Sequence, residues 1–234
     1  MNKPPNHIAI IPDGNRRWAK RRAESFHHGH SEGAGNLMNI VRAAHDLGVK
    51  AVTFYLFSTE NWTRAENEVQ ALMFLLEQYL IEQKQPMIDE GVRFKTIGNL
   101  SVLPARIQEL IADVKQETAK GQNIDVVAAL NYGSRDELLR AFQRMHKAIE
   151  KGDLKAEELS ENVISSYLDT APLPDPDLMI RCSGEFRLSN FLLWQLSYAE
   201  IYIADVLWPD FTPLHLQEAV KAYQGRERRL GGSL

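Results

Sequence analysis

Short apolar runs rich in β-branched residues alternate along the chain with longer stretches of helical periodicity. Strands are predicted at 7–12 (HIAIIP), 50–57 (KAVTFYLF), 92–98 (VRFKTIG), 124–131 (IDVVAALN), 177–182 (DLMIRC) and 201–207 (IYIADVL). Most are continuously apolar rather than alternating, as expected of strands covered on both faces. Between them, Leu37, Ile40, Val41 and Ala44 fall at i, i+3, i+4 and i+7, with Gly48 as terminator. Val69, Leu72, Met73, Leu76 and Leu80 repeat that spacing, and Phe74 and Leu75 widen the band. Phe191 to Trp194 reads as a further apolar helix. The alternation predicts an α/β fold, a mostly parallel central sheet of about six strands with helices on both sides. No repeat, low-complexity tract or linker divides the chain. "TAPLPDPD" at 170–177 reads as a loop entering a strand, so residues 1–234 are expected to form one domain.

Composition narrows the partners. With 44% hydrophobic and 25% charged residues, the 234-residue chain is ordinary for a globular protein and long enough for a substantial core. A net charge of −4 gives no global basic field for nucleic acid, so affinity for anions must come from local clusters. The single cysteine, Cys182, excludes an intramolecular disulfide and points to a reducing compartment. The N-terminus lacks the pattern of a signal peptide, and no apolar run approaches the ~20 residues of a membrane span. A soluble, cytoplasmic protein is expected.

In open α/β sheets ligands bind beyond the carboxyl ends of the strands, and the polar residues collect there. The first strand exits into "PDGNRRWAKRR". Asp13 reads either as the N-cap of the next helix or as a metal carboxylate. In the second reading, Arg16, Arg17, Lys20 and the helix N-terminus would bind an anion. A carboxylate facing that anion implies an intervening hard cation, and Mg²⁺ is held in this way by one or two carboxylates plus substrate phosphates. No Walker-type phosphate loop occurs. "SFHHGHSEG" (25–33) holds three histidines, but no cysteine or second His pair stands at zinc spacing. One histidine donating to an anion is expected, with His27 and His28 on the surface. "FSTENWTR" (57–64) is a polar strand exit in which Trp62 could cover an apolar ligand. In "IRCSGEFRLSNFLLWQ" (180–195), Arg181 inside an apolar run needs a partner, either Glu185 or a diphosphate. Glu200 is a second acidic candidate. A diphosphate head with a hydrocarbon tail fits both the arginines and the apolar surface.

"HIAIIPDGNRRWA", "YLFSTENWTR", "NYGSR", "IRCSGEFRLSNFLLWQLSYAEIY" and "DVLWPDF" together resemble the cis-prenyltransferases, the undecaprenyl-diphosphate synthase-like enzymes, in order from about residue 7 to the final "RERRLGG". The resemblance implies that isopentenyl diphosphate is condensed with an allylic diphosphate such as farnesyl diphosphate. The product is a Z-polyprenyl diphosphate, the undecaprenyl-type precursor of a lipid carrier for cell-wall glycan synthesis. It implies Mg²⁺ on Asp13, with Glu200 as second metal ligand, and an allylic site of Gly14, Asn15, Arg16, Arg17, Trp18, His30, Ser58, Thr59, Glu60, Trp62 and Arg64. Asn61 stands where the family places its proton acceptor. An amide is too weak a base to act unaided, so Asn61 is expected to orient a phosphate oxygen or water. Arg181, Arg187, Leu188 and Ser189 would hold isopentenyl diphosphate. The helix bearing Val69 to Leu80 is either the wall of an apolar tunnel or plain core packing, which explains its stripe equally well. Leu130, bulkier than the small residue common at its position, would shorten such a tunnel. Arg229-Leu230-Gly231 would reach a partner subunit, implying a homodimer, and product release implies peripheral membrane contact.

Three positions depart from the family pattern. Phe26 stands where many bacterial members carry arginine, Phe186 replaces an occasional metal-binding histidine, and Cys182 stands where Thr or Gly is usual. The rival readings are a non-catalytic binding or regulatory homologue of the same fold, a nucleic-acid-binding module using the basic helix 16–22, and a metal-dependent phosphatase. The presence of Asp13, Asn61, Arg181, Arg187 and Glu200 opposes the first. Net acidity and the lack of aromatics spaced for base stacking oppose the second.

Overall fold

In a computed structural model describing residues 3–227, six strands form one sheet in the order β3-β4-β2-β1-β5-β6. They are β1 (His7–Ile11), β2 (Ala51–Ser58), β3 (Val92–Ile97), β4 (Ile124–Tyr132), β5 (Leu178–Arg181) and β6 (Glu200–Ile203). Every pairing is parallel, so all strand exits lie at one end of the sheet. The helices are α1 (Asn15–Arg21), α2 (Phe26–Asp46), α3 (Glu66–Asp89), α4 (Ala105–Glu117), α5 (Ser134–Lys151), α6 (Glu161–Ser166) and α7 (Pro213–Gln224).

Alternate residues of each strand feed opposite layers, as the pleat requires. Ile8 and Ile10 of β1 enter a large core with Ile40 of α2, Leu80 of α3, Ile111 of α4 and Leu216 of α7. Ala9 and Ile11 enter a second core with Met179, Tyr132 and the loop residues Phe191, Leu192 and Leu196. Both faces are thus covered, which is why the strands read as unbroken apolar runs.

The two periodic segments are α2 and α3, and Gly48, at φ +84°, follows the end of α2. The expected helix at Phe191 to Trp194 is absent. These residues form successive turns, with Asn190 and Leu192 at φ +60° and +47°. Phe191 and Leu192 fill the second core from a non-helical backbone while Leu193 is exposed, so the apolar composition alone suggested a helix. The last strand is also shorter than expected. Beyond Ile203 regular pairing ends because the neighbouring segment turns at Ser183 and Gly184, both at positive φ, whose N–H groups donate to Val206 O and Ala204 O.

Candidate active site

A cavity of about 910 Å³ opens at the strand exits and runs inward between the sheet, α2 and α3. Its rim carries Asp13, Gly14, Asn15, Arg16, Arg17, His30, Ser58, Glu60, Asn61, Arg64, Arg181, Arg187 and Ser189. Its depth is apolar: Leu37, Leu56, Phe57, Leu72, Met73, Leu75, Leu76 and Leu130 line it. Thus thirteen of the residues expected at a substrate site meet on one rim, and α3 walls the apolar tunnel.

Asp13 follows β1 after Pro12. It does not cap α1: the N-cap position is Gly14, with no side-chain cap bond. Instead Asp13 Oδ2 accepts from Arg181 Nη2 at 2.8 Å, and Oδ1 lies 3.8 Å from Arg17 Nη2. Arg181 ends β5 with its side chain 4% exposed. Its Nη1 donates to Arg187 O at 2.6 Å and Ser189 Oγ at 2.8 Å, whereas its buried Nε has no partner. The alternative partner for Arg181, Glu185, serves Arg17 (3.0 Å) and Arg187 instead. A buried guanidinium fixed by a carboxylate, with a donor in reserve, is ready for an anionic oxygen.

The opposite rim is organised by Glu68, a buried carboxylate on α3 that the sequence reading missed. It accepts from Arg64 Nη1 at 2.9 Å and lies 3.6 Å from Arg16 Nη1. The signal was the i,i+4 spacing of Arg64 and Glu68. His30 sits close by, with Nδ1 3.5 Å from Asn15 Nδ2. Burial, then the Arg64 charge, pulls its pKa down to about 4, so the imidazole is neutral near pH 7. Asn61 Oδ1 accepts from Ser58 N–H at 3.0 Å, which leaves its NH₂, a donor, for the cavity.

Five expected site residues lie off the rim. Trp18 is buried, donates from Nε1 to Asp210 Oδ1 at 2.8 Å and carries the Arg22 guanidinium 4.0 Å above its ring. Trp62 donates to Asn131 Oδ1 at 2.7 Å and lines a neighbouring groove between α3 and α4. Thr59 packs against Gly133, and Leu188 joins the second core. Glu200 starts β6, level with Leu178, whereas Ile203 is level with Arg181. Three residues at about 3.3 Å each set Glu200 back toward the opposite end of the sheet, where it pairs with Arg226 Nη1 at 2.5 Å. Within one chain it does not meet Asp13. Arg229-Leu230-Gly231 lies outside the described residues.

Of the three departures, Cys182 is fully buried after β5, Phe186 is 83% exposed, and the Phe26 ring lies tilted against His27 with ring centres 3.9 Å apart. Among the described residues no group of three or more His, Cys, Asp or Glu converges on a metal position, and no helix is long and apolar enough to cross a membrane.

Residues 11–231 match the family model described as "Putative undecaprenyl diphosphate synthase". The isoprenyl transferase of Chlamydia pneumoniae is 48% identical over 99% of this chain and 94% of its own length. That of Geobacillus kaustophilus is 48% identical over 97% and 89%. Among solved structures, lavandulyl diphosphate synthase from Lavandula x intermedia, in complex with dimethylallyl diphosphate, superposes with a TM-score of 0.96 at 34% identity, covering 98% of this chain and 99% of its own. A probable undecaprenyl diphosphate synthase from Campylobacter jejuni gives 0.82, also at 34%, covering 99% and 100%. With a family model matched over residues 11–231 and relatives aligned along nearly its whole length, the chain belongs to the undecaprenyl diphosphate synthase family of prenyltransferases.

Proposed function

We propose that this prenyltransferase lengthens an allylic diphosphate, with farnesyl diphosphate as primer, by successive addition of isopentenyl diphosphate to give a Z-polyprenyl diphosphate. The product would be the undecaprenyl-type precursor of a lipid carrier for cell-wall glycans. The observation that carries this reading is one cavity joining five rim arginines to an apolar interior. Its volume stands near the top of the ~300–1,000 Å³ range of small-molecule sites, and its two halves match a charged head and a hydrocarbon tail.

In this reading the allylic C–O bond breaks, the isopentenyl alkene bonds to the freed carbon, one proton leaves and diphosphate departs. Arg16, Arg17 and Arg64 bind the allylic diphosphate, while Arg181, Arg187 and Ser189 bind the isopentenyl diphosphate. Arg181 Nε, without a protein partner, gains one from a phosphate oxygen. Asn61 offers N–H donors, which supports orientation of a phosphate oxygen or water rather than proton acceptance by the amide.

The donor set fits Mg²⁺: Asp13, the rim carboxylate at the exit of β1 beside Arg17 and Arg181, would be completed by substrate oxygens. When bound, the ion would offset charge on the leaving diphosphate. Glu200 would reach such an ion only from a second copy of the chain. A homodimer is consistent with the exposed Tyr198 and Ile201 beside the sheet-edge strand β6. We place the enzyme in the cytoplasm, with peripheral membrane contact when product leaves.

The test incubates purified protein and labelled isopentenyl diphosphate with C10, C15 or C20 allylic primers, in Mg²⁺ or EDTA. Butanol-extractable label that requires both primer and Mg²⁺ is the expected result. No extractable product with any primer overturns the proposal.

A further inference from the structure

Asn190 stands between the two halves of the rim and ties its own loop to two other segments. It follows Ser189, whose hydroxyl accepts from Arg181 at 2.8 Å. Its own Nδ2 donates to Glu60 Oε1 at 2.9 Å, on the strand-exit loop that also carries Ser58 and Asn61. Its Oδ1 accepts from Arg135 N–H at 3.0 Å, and its backbone oxygen accepts from Ser134 N–H at 2.7 Å, both at the start of α5. Gly133 makes room for this junction: a Cβ there would stand 2.7 Å from Asn190 Nδ2 and 2.6 Å from Thr59 Oγ1.

The backbone around the junction is held in rare conformations. Of the six non-glycine residues with positive φ among those described, Ser183, Ser189, Asn190 and Leu192 fall in this one loop. Such conformations persist where surrounding bonds over-determine them, and they cluster at functional sites. Tyr55 adds a further tie, with its hydroxyl 3.2 Å from both Ser189 O and Tyr132 O and its ring stacked on Phe191.

We propose that Asn190 is a positioning residue that fixes the spacing between the Ser58–Asn61 loop and the Arg187–Ser189 loop, and so the approach of one diphosphate substrate to the other. This rests on the two-substrate reading of the cavity. Asn190 touches neither reacting carbon; it acts through Glu60 and Ser189. A shift of about 1 Å between reactants costs on the order of 100-fold in rate, so loosening this tie lowers turnover more than binding.

Asn190→Asp isolates the tie. Aspartate keeps the left-handed backbone accessible and the acceptor for Arg135 N–H, but it replaces the Nδ2 donor with a carboxylate facing Glu60. Glu60→Gln in the same chain restores a donor–acceptor pair with its direction reversed. For N190D the expected result is a melting temperature within about 4 °C of wild type and kcat about 10- to 100-fold lower. KM for either diphosphate changes less than kcat. Measured against Glu60→Gln alone, the double variant loses less kcat than N190D loses against wild type, the non-additivity of a direct partnership. Asn190→Gly, which keeps the left-handed backbone and removes both side-chain bonds, shows the same loss and stands in should N190D not fold.

Wild-type kcat in a folded N190D or N190G, or losses in N190D and Glu60→Gln that simply add in the double variant, overturns the proposal. Failure of the underlying reading is distinct: the wild-type protein would then give no product with any primer.

Discussion

Asp13 faces arginine on two sides, so replacing it separates two roles. Asn at this position still offers an oxygen to Arg181 but carries no charge for a cation. Asp13→Asn is expected to lower kcat by at least about 10²-fold with little change in melting temperature. Asp13→Ala also strands the buried Arg181 and lowers the melting temperature. Near-wild-type turnover in the folded Asn variant would remove Asp13 from the chemistry. Leu130 poses a separate question, since it is buried and lines the tunnel. Leu130→Ala should shift product toward longer chains, read by mass spectrometry of extracted lipids, and destabilise by about 2–5 kcal/mol. An unchanged product distribution would show that the tunnel ends elsewhere. The sequence exposed these residues unevenly. Arg181 was visible because a cation inside an apolar strand demands a partner, but which carboxylate answers depends on the loop after β5. Glu68 escaped notice because a glutamate in the first turn of a helix ordinarily faces water.

At the scale of elements, the six strands were legible because each is buried on both faces and so consists of one apolar run. What failed was Phe191 to Trp194, where left-handed residues and bonds to α5 override the apolar pattern. Glu200 was legible as an acid, but its distance from Asp13 was not, because strand register and direction are properties of the assembled sheet. The contact between α1 and α2 was also hidden. A Cβ at Gly33 would stand 2.4 Å from Asn15 Oδ1, which holds the two helices close at the rim. Gly33→Ala is therefore expected to cost about 1–3 kcal/mol and to raise KM for the allylic diphosphate by displacing Asn15. Thermal melting and steady-state kinetics test both, and wild-type values in each would show that the helices have slack.

Across the whole molecule, two buried histidines set an acid-side dependence of stability. His7 donates from Nδ1 to Pro174 O and accepts at Nε2 from the Thr53 hydroxyl, and burial lowers its pKa. His30 is lowered to about 4, by burial and the Arg64 charge. The unfolded chain, near 6.5 for both, binds more protons than the native one below that pH, so stability falls as pH drops from about 6.5 toward 4. Glu137, whose pKa burial raises, acts with the opposite sign and offsets part of this. The melting temperature should therefore fall between pH 7 and pH 5, and His30→Gln should flatten that slope. A slope identical to wild type would show that His30 does not contribute. The internal ion pairs of the rim have another consequence. Arg16 and Arg64 rest against Glu68, Arg17 and Arg187 against Glu185, and Arg181 against Asp13. Three carboxylates thus offset part of the charge of five arginines, and the rim holds its cations in fixed positions instead of letting them repel one another. A diphosphate entering the cavity therefore meets guanidinium groups whose orientation is already set, and less side-chain entropy remains to be lost when it binds.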